Sequence, residues 1–139
     1  MEPILNAIWN SPSLSTLPGQ IQEVILPALV SGTSPALRAI IAAALHRQLG
    51  RPLLMVCSDE SAAEHLRADL HALTGEEVCI LPDRELNLRS ADTVSKEGEQ
   101  ARLQLLDKLM NGGAGIVLAT VGALQLRTLP PEILKETAF

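Results

Sequence analysis

Four short apolar runs alternate with three helix-length amphipathic segments in this chain, and that alternation constrains the fold more than any other feature of the sequence. The runs are residues 24–30, 53–57, 78–81 and 116–119. Each run has the length of a strand, and the segments between them carry apolar residues at helical spacing. Such an alternation is typical of a parallel sheet with crossover helices on its faces. The sequence therefore predicts an α/β fold, a three-layer parallel sheet with right-handed βα crossovers.

Capping residues predict where two of the helices begin and end. Ser34 followed by Pro35 predicts an N-cap and a first helical position, and Gly50 predicts the C-terminal end. Ser61 and Glu64 indicate a capping box at the start of the next helix. The apolar faces expected are Ala36, Leu37, Ile40, Ile41, Ala44, Leu45 and Leu49 in the first helix, and Ala62, Ala63, Leu66, Leu70 and Leu73 in the second.

The remaining segments follow from simpler patterns. Apolar residues at helical spacing predict a short N-terminal helix and a longer helix from about Lys96 to Met110. Residues 13–19 are expected to form a loop, and Pro27 delays any strand in the first apolar run until after it. The uninterrupted run at 53–57 is typical of a strand covered on both faces.

Composition argues against a nucleic-acid-binding or membrane protein. The net charge is −5, and aromatic residues make up only 1% of the 139 residues, so both phosphate attraction and base stacking are disfavoured. Cys57 and Cys79 lie in apolar runs and are expected to be free buried thiols. Because there is no basic N-terminal region and no apolar run long enough to span a bilayer, the sequence predicts a cytoplasmic protein.

The turn between the first apolar run and the first long helix is where α/β nucleotide-binding folds hold phosphate. A Walker A motif needs glycines, a lysine for the β- and γ-phosphates and a hydroxyl for Mg²⁺. The turn reads Ser31, Gly32, Thr33, Ser34, Pro35 and Ala36, and no lysine precedes Lys96. Pro35 also removes a backbone N–H from any cradle. These residues predict a degenerate P-loop, with a surviving phosphate site based on Arg38 as the alternative.

Acidic residues after the second run give a second weak motif. Residues 53–60 resemble a Walker B strand that ends in Asp59 and Glu60, although acids in the first turn of a helix have the same appearance. Asp83 and Glu85 are acid candidates by composition alone. No histidine or hydroxyl stands at a spacing that would complete a catalytic site with them. The sequence therefore predicts no catalytic, cofactor-binding or metal-ligating residue.

The order and spacing of six segments resemble those of a known family. The resemblance extends from about residue 17 to residue 135. The segments are residues 29–34, 51–56, 81–86, 100–103, 116–124 and 129–131. On these motifs the chain resembles the N-terminal UvrB-like module, specifically its first subdomain, of bacterial transcription-repair coupling factor (Mfd).

The resemblance implies a P-loop or RecA-like fold with a degenerate nucleotide site. Ser31 and Gly32 match the Thr-Gly of the UvrB sequence Thr-Gly-Ser-Gly-Lys-Thr, whereas Pro35 takes the lysine position and Ala36 that of the Mg²⁺-binding hydroxyl. Residues 82–96 contain no tyrosine, unlike the DNA-gripping hairpin of UvrB. Both departures are those expected of the coupling-factor module, a UvrB-like fold that lost ATP binding.

For function, the resemblance implies a non-catalytic adaptor subdomain within the module that recruits UvrA for nucleotide excision repair at a stalled RNA polymerase. The full-length protein is an ATP-dependent DNA translocase. The remaining subdomains of the longer chain are the expected partners. UvrA is expected to bind mainly through a following subdomain, and RNA polymerase and DNA only through other domains. A divergent P-loop nucleotide-binding domain and a stand-alone α/β binding module remain the alternatives.

The same resemblance predicts the domain organisation. An N-terminal helix at 1–12 precedes a UvrB-like α/β subdomain at 13–129, expected to be incomplete, and 130–139 begin a connection to a following subdomain. Aliphatic residues near that connection are too numerous for a solvated tail and are expected to form a packing surface. They are Leu124, Leu126, Leu129, Ile133 and Leu134.

Overall fold

The computed structural model describes residues 2–23, 27–83, 96–128, 130 and 132–133. Within them the helices are α1 (Glu2–Ala7, continued by a 3-10 turn at Ile8–Asn10), α2 (Leu17–Gln22), α3 (Pro35–Leu49), α4 (Glu60–Thr74), α5 (Lys96–Met110) and α6 (Val121–Gln125). The strands are β1 (Leu53–Cys57), β2 (Val78–Ile80) and β3 (Ile116–Thr120). The N-terminal helix and the bounds of α5 agree with the sequence pattern.

The three strands form one parallel sheet in the order β1-β3-β2. The central strand pairs with both neighbours, so that Ile116 lies opposite Leu53 on one side and Val78 on the other. This arrangement confirms an α/β fold with a parallel sheet. β3, the last of the three strands in the chain, lies between β1 and β2. Because neighbouring strands are parallel, the connections between them cross over the sheet.

The strand expected after Pro27 is not formed by the described residues of that run. Residues 27–30 have no regular secondary structure, Leu29 is 92% exposed and Val30 is 38% exposed. Residues 24–26 lie outside the described part of the chain. An isolated extended segment gains no ladder hydrogen bonds, so apolar composition alone does not make it a strand. The described residues therefore contribute three strands to the sheet and not four.

Helices cover both faces of the sheet through two separate clusters of apolar side chains. On one face, side chains of α1, α3 and α4 pack on alternate strand residues, among them the fully buried Ile116 and Leu118. On the opposite face, Leu105 of α5 and Ala123 of α6 belong to a second cluster that includes Val117. Alternation along β3 thus sends neighbouring residues to two different cores.

The expectation that β1 is covered on both faces is wrong. Leu53, Met55 and Cys57 pack in the cluster beneath α3 and α4, but Leu54 and Val56 are each 56% exposed. The second cluster extends over β2 and β3 only, because α5 and α6 lie on that side of the sheet. An uninterrupted apolar run therefore gives an edge strand with one open face here.

The predicted N-cap residue is confirmed for α3 and is wrong for α4. Ser34 Oγ accepts the Leu37 N–H at 3.2 Å, and Gly50 ends α3 in the left-handed conformation at φ 60°. In α4, however, the cap is Asp59 and not Ser61: its Oδ1 accepts the Ala62 N–H at 2.8 Å. Because Asp59 is the last extended residue before the helix, Ser61 already lies inside the first turn.

Two further expectations about the first half of the chain are corrected. The predicted loop at 13–19 ends earlier, because α2 begins at Leu17 and places Pro18 in its first turn, where proline is tolerated. In α3, Ala36 is exposed and Leu37 only partly buried. The buried residues of α3 are Ala39, Ile41, Ala42, Ala43 and Ala44. Alanines on several sides of α3 let the neighbouring helices approach closely, which a single apolar stripe does not predict.

Candidate functional site

A crevice opens where all three strands end, at the carboxyl edge of the sheet. Its volume is about 370 Å³, and it is lined by Ser58, Asp59, Glu60, Ile80, Leu81, Pro82, Asp83, Thr120, Val121 and Gly122. Open parallel sheets bind ligands at this edge, because the loops that follow adjacent strands diverge there. The topology thus brings residues from three distant parts of the chain to one place.

The turn from β1 into α4 supplies one wall of the crevice. Asp59 is held on both sides: Oδ1 accepts the Ala62 N–H, and Oδ2 accepts the Ser58 hydroxyl at 2.8 Å. These hydrogen bonds, the one from Ala62 first, lower the pKa of the Asp59 carboxyl below its ordinary value. The residue that resembled the aspartate of a Walker B motif is therefore a charged helix cap.

The turn from β3 into α6 forms the opposite wall and has a similar design. Thr120 Oγ1 accepts the Ala123 N–H at 3.0 Å and donates to Asp83 Oδ2 at 2.8 Å. The hydroxyl therefore caps α6 and holds the carboxylate that follows β2. Sequence patterns did not single out Thr120, although a threonine directly before a helical turn is a capping signal.

Gly122 lets Asp83 approach the backbone of α6. A Cβ atom built on Gly122 would stand 2.3 Å from Asp83 Oδ2, closer than side chains tolerate. A larger residue here would therefore displace the carboxylate from its present position. Nothing in the sequence alone marks this glycine, because the residue it must accommodate is 39 positions earlier.

Arg102 of α5 holds in place the wall that the turn from β3 into α6 forms. Its guanidinium donates to the Pro82 carbonyl at 2.9 Å, to the Ala123 carbonyl at 2.9 Å and to the Leu126 carbonyl at 3.4 Å. Nε is buried without a hydrogen-bond partner among the described residues. Burial lowers the pKa of Arg102, and the nearby Asp83 charge opposes that shift. The side chain thus joins α5, the segment that follows β2 and the C-terminal half of α6.

The charges in the crevice do not suit a phosphate. Among the described residues that line it, the charged ones are Asp59, Glu60 and Asp83, and none is a lysine, arginine or histidine. Arg102 directs its guanidinium to backbone carbonyls. Three carboxylates repel an anion and favour a cationic or neutral group. The described lining also contains no histidine or cysteine to act as a base or nucleophile beside its hydroxyls.

The turn predicted as a degenerate P-loop does not contribute to this crevice. Ser31, Gly32, Ser34, Pro35 and Ala36 are exposed and Thr33 is partly buried, and none of them is among the crevice residues. Gly32 adopts a positive φ of 73°. The Ser34 side chain takes the Leu37 N–H and the Ser34 carbonyl takes the Arg38 N–H. These groups of the first turn are therefore already satisfied within the chain.

The predicted packing surface lies partly in the described residues. Leu124 and Ile133 are 43% and 45% exposed, and Leu126 is half-buried. Leu129 and Leu134 lie outside the described residues, as does the acid candidate Glu85. Within the described residues, the exposed members of the predicted surface are thus Leu124 and Ile133.

The acidic pair after α4, Glu76 and Glu77, takes part in contacts at the opposite, amino edge of the sheet. Glu76 meets His46 Nε2 at 3.0 Å, and Glu77 pairs with Lys108 of α5. Neither glutamate is in the crevice. Cys57 and Cys79 are free thiols, the first buried and the second half-buried. Across residues 2–23, 27–83 and 96–128, no group of three or more histidine, cysteine, aspartate or glutamate side chains could hold a metal ion.

In the part of the chain that the structure describes, no helix combines the length and apolar character needed to cross a bilayer.

Fold and site together define an α/β domain with a three-stranded parallel sheet, compatible with a Rossmann or RecA-like layout. Over 132 residues the chain is 28% identical to the transcription-repair-coupling factor of Bacillus subtilis (strain 168). The match covers 94% of this chain and 11% of that protein, so the chain spans about a tenth of its relative's length. This similarity confirms the resemblance read from the sequence motifs. No family profile and no solved structure matches the chain.

Proposed function

We propose that this chain is a non-catalytic adaptor subdomain of a transcription-repair coupling factor, within the module that recruits UvrA to a stalled RNA polymerase. The observation that carries the proposal is the similarity to the Bacillus subtilis protein over 94% of the chain. The matched share of 11% of that protein fits one structural module of a long polypeptide. We place this module at the N-terminal, UvrB-like end of such a protein.

The chemistry of the site supports a role without catalysis. The turn at 31–36 offers no lysine and no hydroxyl at the position of a Mg²⁺ ligand, and Pro35 has no N–H to donate. The carboxyl-edge crevice is acidic and its hydroxyls are used in capping or in holding carboxylates. We therefore interpret the nucleotide site as degenerate and the fold as a scaffold.

The partners proposed follow from this role. The remaining subdomains of the same polypeptide would pack on the chain, with Leu124 and Ile133 exposed for such a contact. UvrA would bind mainly through the following subdomain, and RNA polymerase and DNA through other domains, in the cytoplasm. The proposed division of the chain is an N-terminal helix at 1–12, the α/β subdomain at 13–129 and the start of a connection at 130–139.

One observation favours a second candidate, a divergent nucleotide-binding domain. The crevice lies at the sheet edge where such folds bind nucleotides. The described residues of its lining include three carboxylates and no basic side chain, which argues against a triphosphate there. A titration of the chain with Mg·ATP distinguishes the two functions.

A segment exchange tests the adaptor role. The matching region of the Bacillus subtilis coupling factor would be replaced by this chain, and the purified chimera assayed separately for displacement of stalled RNA polymerase and for UvrA capture. We expect both activities to be retained. A matched chimera with an unrelated α/β domain should displace polymerase but capture UvrA less well, because the following subdomain would lack the neighbour on which it packs. If the chimera that carries this chain displaces polymerase but fails to capture UvrA, the proposed role is wrong.

A further inference from the structure

The ring of His46 lies between two oxygen acceptors at the amino edge of the sheet. Its Nδ1 is 2.8 Å from the Arg51 carbonyl oxygen, and its Nε2 is 3.0 Å from Oε2 of Glu76. A carbonyl and an ionised carboxylate can only accept, so each ring nitrogen needs a proton to make its hydrogen bond. A neutral imidazole has one N–H and satisfies one of the two oxygens. Both contacts together therefore require the doubly protonated, positively charged ring.

The surroundings of the ring suit that charge and restrict its movement. His46 lies in the last turn of α3, where the helix dipole stabilises a cation. Its side chain is only 11% exposed. The ring and the Glu76 carboxylate both pack on Gly115, where an added Cβ would stand 3.3 Å from His46 Cε1 and 3.0 Å from Glu76 Oε2. The contact thus links the end of α3 to the segments that precede β2 and β3.

A second histidine, His71 of α4, contacts the same glutamate but faces a simpler environment. Its Nδ1 donates to the Glu76 carbonyl at 2.7 Å, and the Glu76 N–H donates to Thr74 Oγ1 at 3.1 Å. In the described part of the chain His71 meets this one acceptor, so its ring can donate there whether charged or neutral. The other charged or titratable groups described on the segments that meet around His46 are Arg47, Arg51, His71, Glu77 and Lys108. Glu77 and Lys108 pair with each other.

We propose that the contact between His46 and Glu76 is a pH-sensitive switch, formed when the ring is charged and broken when it is neutral. The neutral ring keeps its proton on Nδ1, because the Arg51 carbonyl belongs to the backbone and cannot turn away. The Nε2 lone pair then faces the Glu76 carboxylate and repels it. The Glu76 side chain is 53% exposed and moves into water. The link between the end of α3 and the segment before β2 is thereby lost.

The switch has a defined direction. The charged ring makes both contacts, so their contribution to folding is present at low pH and is lost as the pH rises through the range in which histidine gives up its proton, about pH 5–8. All the groups belong to one chain and the ring is nearly buried, so the switch needs no free surface. The inference goes beyond the proposed repair role and does not rest on it.

Glu76→Gln tests the switch, because a glutamine amide can donate to the lone pair of a neutral ring or accept from a charged one. Thermal unfolding of the 139-residue chain would be compared between wild type and Glu76→Gln from about pH 5.5 to pH 8. At the acid end we expect the wild-type chain to melt roughly 2–5 °C higher. By the alkaline end this advantage should vanish or change sign. Melting temperatures that run parallel over the whole range would overturn the proposal.

Two further backgrounds identify the titrating ring. Glu76→Gln added to His46→Gln should shift the melting temperature by an amount that does not depend on pH, whereas added to His71→Gln it should keep the pH dependence. The reverse result would assign the effect to His71 and exclude the proposal.

Nitrogen-15 NMR of the His46 ring tests the direction of the switch in the wild-type chain, without any substitution that could impair folding. We expect protons on both ring nitrogens at the acid end of the range and on Nδ1 alone at the alkaline end. A neutral ring protonated at Nε2 would show that the Arg51 contact is the one given up, and would contradict the release of Glu76.

Discussion

Thr120 donates its hydroxyl proton to Asp83 Oδ2 across 2.8 Å, and this contact joins the residues that follow β2 to the end of β3. The Thr120 hydroxyl oxygen also accepts the Ala123 N–H. One side chain therefore completes a helix cap and fixes a carboxylate 37 residues away. The shape of the crevice depends on this double use of a hydroxyl.

Replacing that hydroxyl should destabilise the fold by a predictable amount. Thr120→Val keeps the shape of the side chain but removes both hydrogen bonds, which should cost about 1–2 kcal/mol. For a domain of this size each kcal/mol lowers the melting temperature by roughly 3–5 °C. Thr120→Ser retains the hydroxyl and should stay within about 0.5 kcal/mol. Calorimetry that finds the two variants equal would show that the hydroxyl contributes nothing.

A second prediction concerns Gly122. Gly122→Ala should destabilise by about 1 kcal/mol, because the new Cβ displaces the Asp83 carboxylate from its hydrogen bond with Thr120. The control is Gly19→Ala in α2, where a Cβ meets nothing within 4 Å and the better helix former should be neutral or stabilising. In an Asp83→Ala background the cost of Gly122→Ala should largely disappear. A cost that persists in the double variant would exclude Asp83 as its cause.

Arg102 gives a third prediction. Arg102→Met leaves the Pro82 and Ala123 carbonyls without their donors and should cost about 2–4 kcal/mol in urea unfolding. Arg102→Lys should recover only part of that loss, because a single ammonium cannot reproduce the planar fork. Arg67→Met, which breaks only a surface pair with Glu64, should change stability by less than about 0.5 kcal/mol. Comparable losses of stability in Arg102→Met and Arg67→Met would contradict the role of Arg102 in holding α5 and α6 together.

The cysteines allow a test by chemical modification. Burial raises the pKa of both the Cys57 and the Cys79 thiols, so less reactive thiolate is present at a given pH than in an unfolded chain. At neutral pH both should be alkylated more slowly than the same residues in urea, and the rates should rise with pH through the region above the ordinary value of 9.0. Mass spectrometry of each peptide measures this. Folded-state rates equal to those in urea would contradict the burial.

Local patterns predicted those elements whose determinants are close together in sequence. The cap at Ser34, the end at Gly50 and the span of α5 each depend on residues within one or two helical turns. Asp59 replaced Ser61 as the cap because two neighbouring capping residues compete, and the end of β1 decides between them. Pattern alone cannot resolve that competition.

The parts that could not be predicted depend on distant pairing. Whether 27–30 forms a strand depends on a neighbouring strand, and the apolar sequence alone contains no information about one. The open face of β1 is decided by the position of α5, which begins 39 residues after β1 ends. The crevice likewise combines Asp83 with Thr120 and Gly122, and only the order β1-β3-β2 brings them together.

The central claim is that this α/β subdomain serves repair coupling without binding a nucleotide, and isothermal titration with Mg·ATP tests it most directly. The missing lysine, Pro35 and the acidic crevice predict no heat of binding up to millimolar nucleotide. Arg38→Ala should give the same flat titration as the wild-type chain. A dissociation constant below roughly 100 µM, about −5.5 kcal/mol, that is lost in Arg38→Ala would contradict the claim and favour a divergent nucleotide-binding domain.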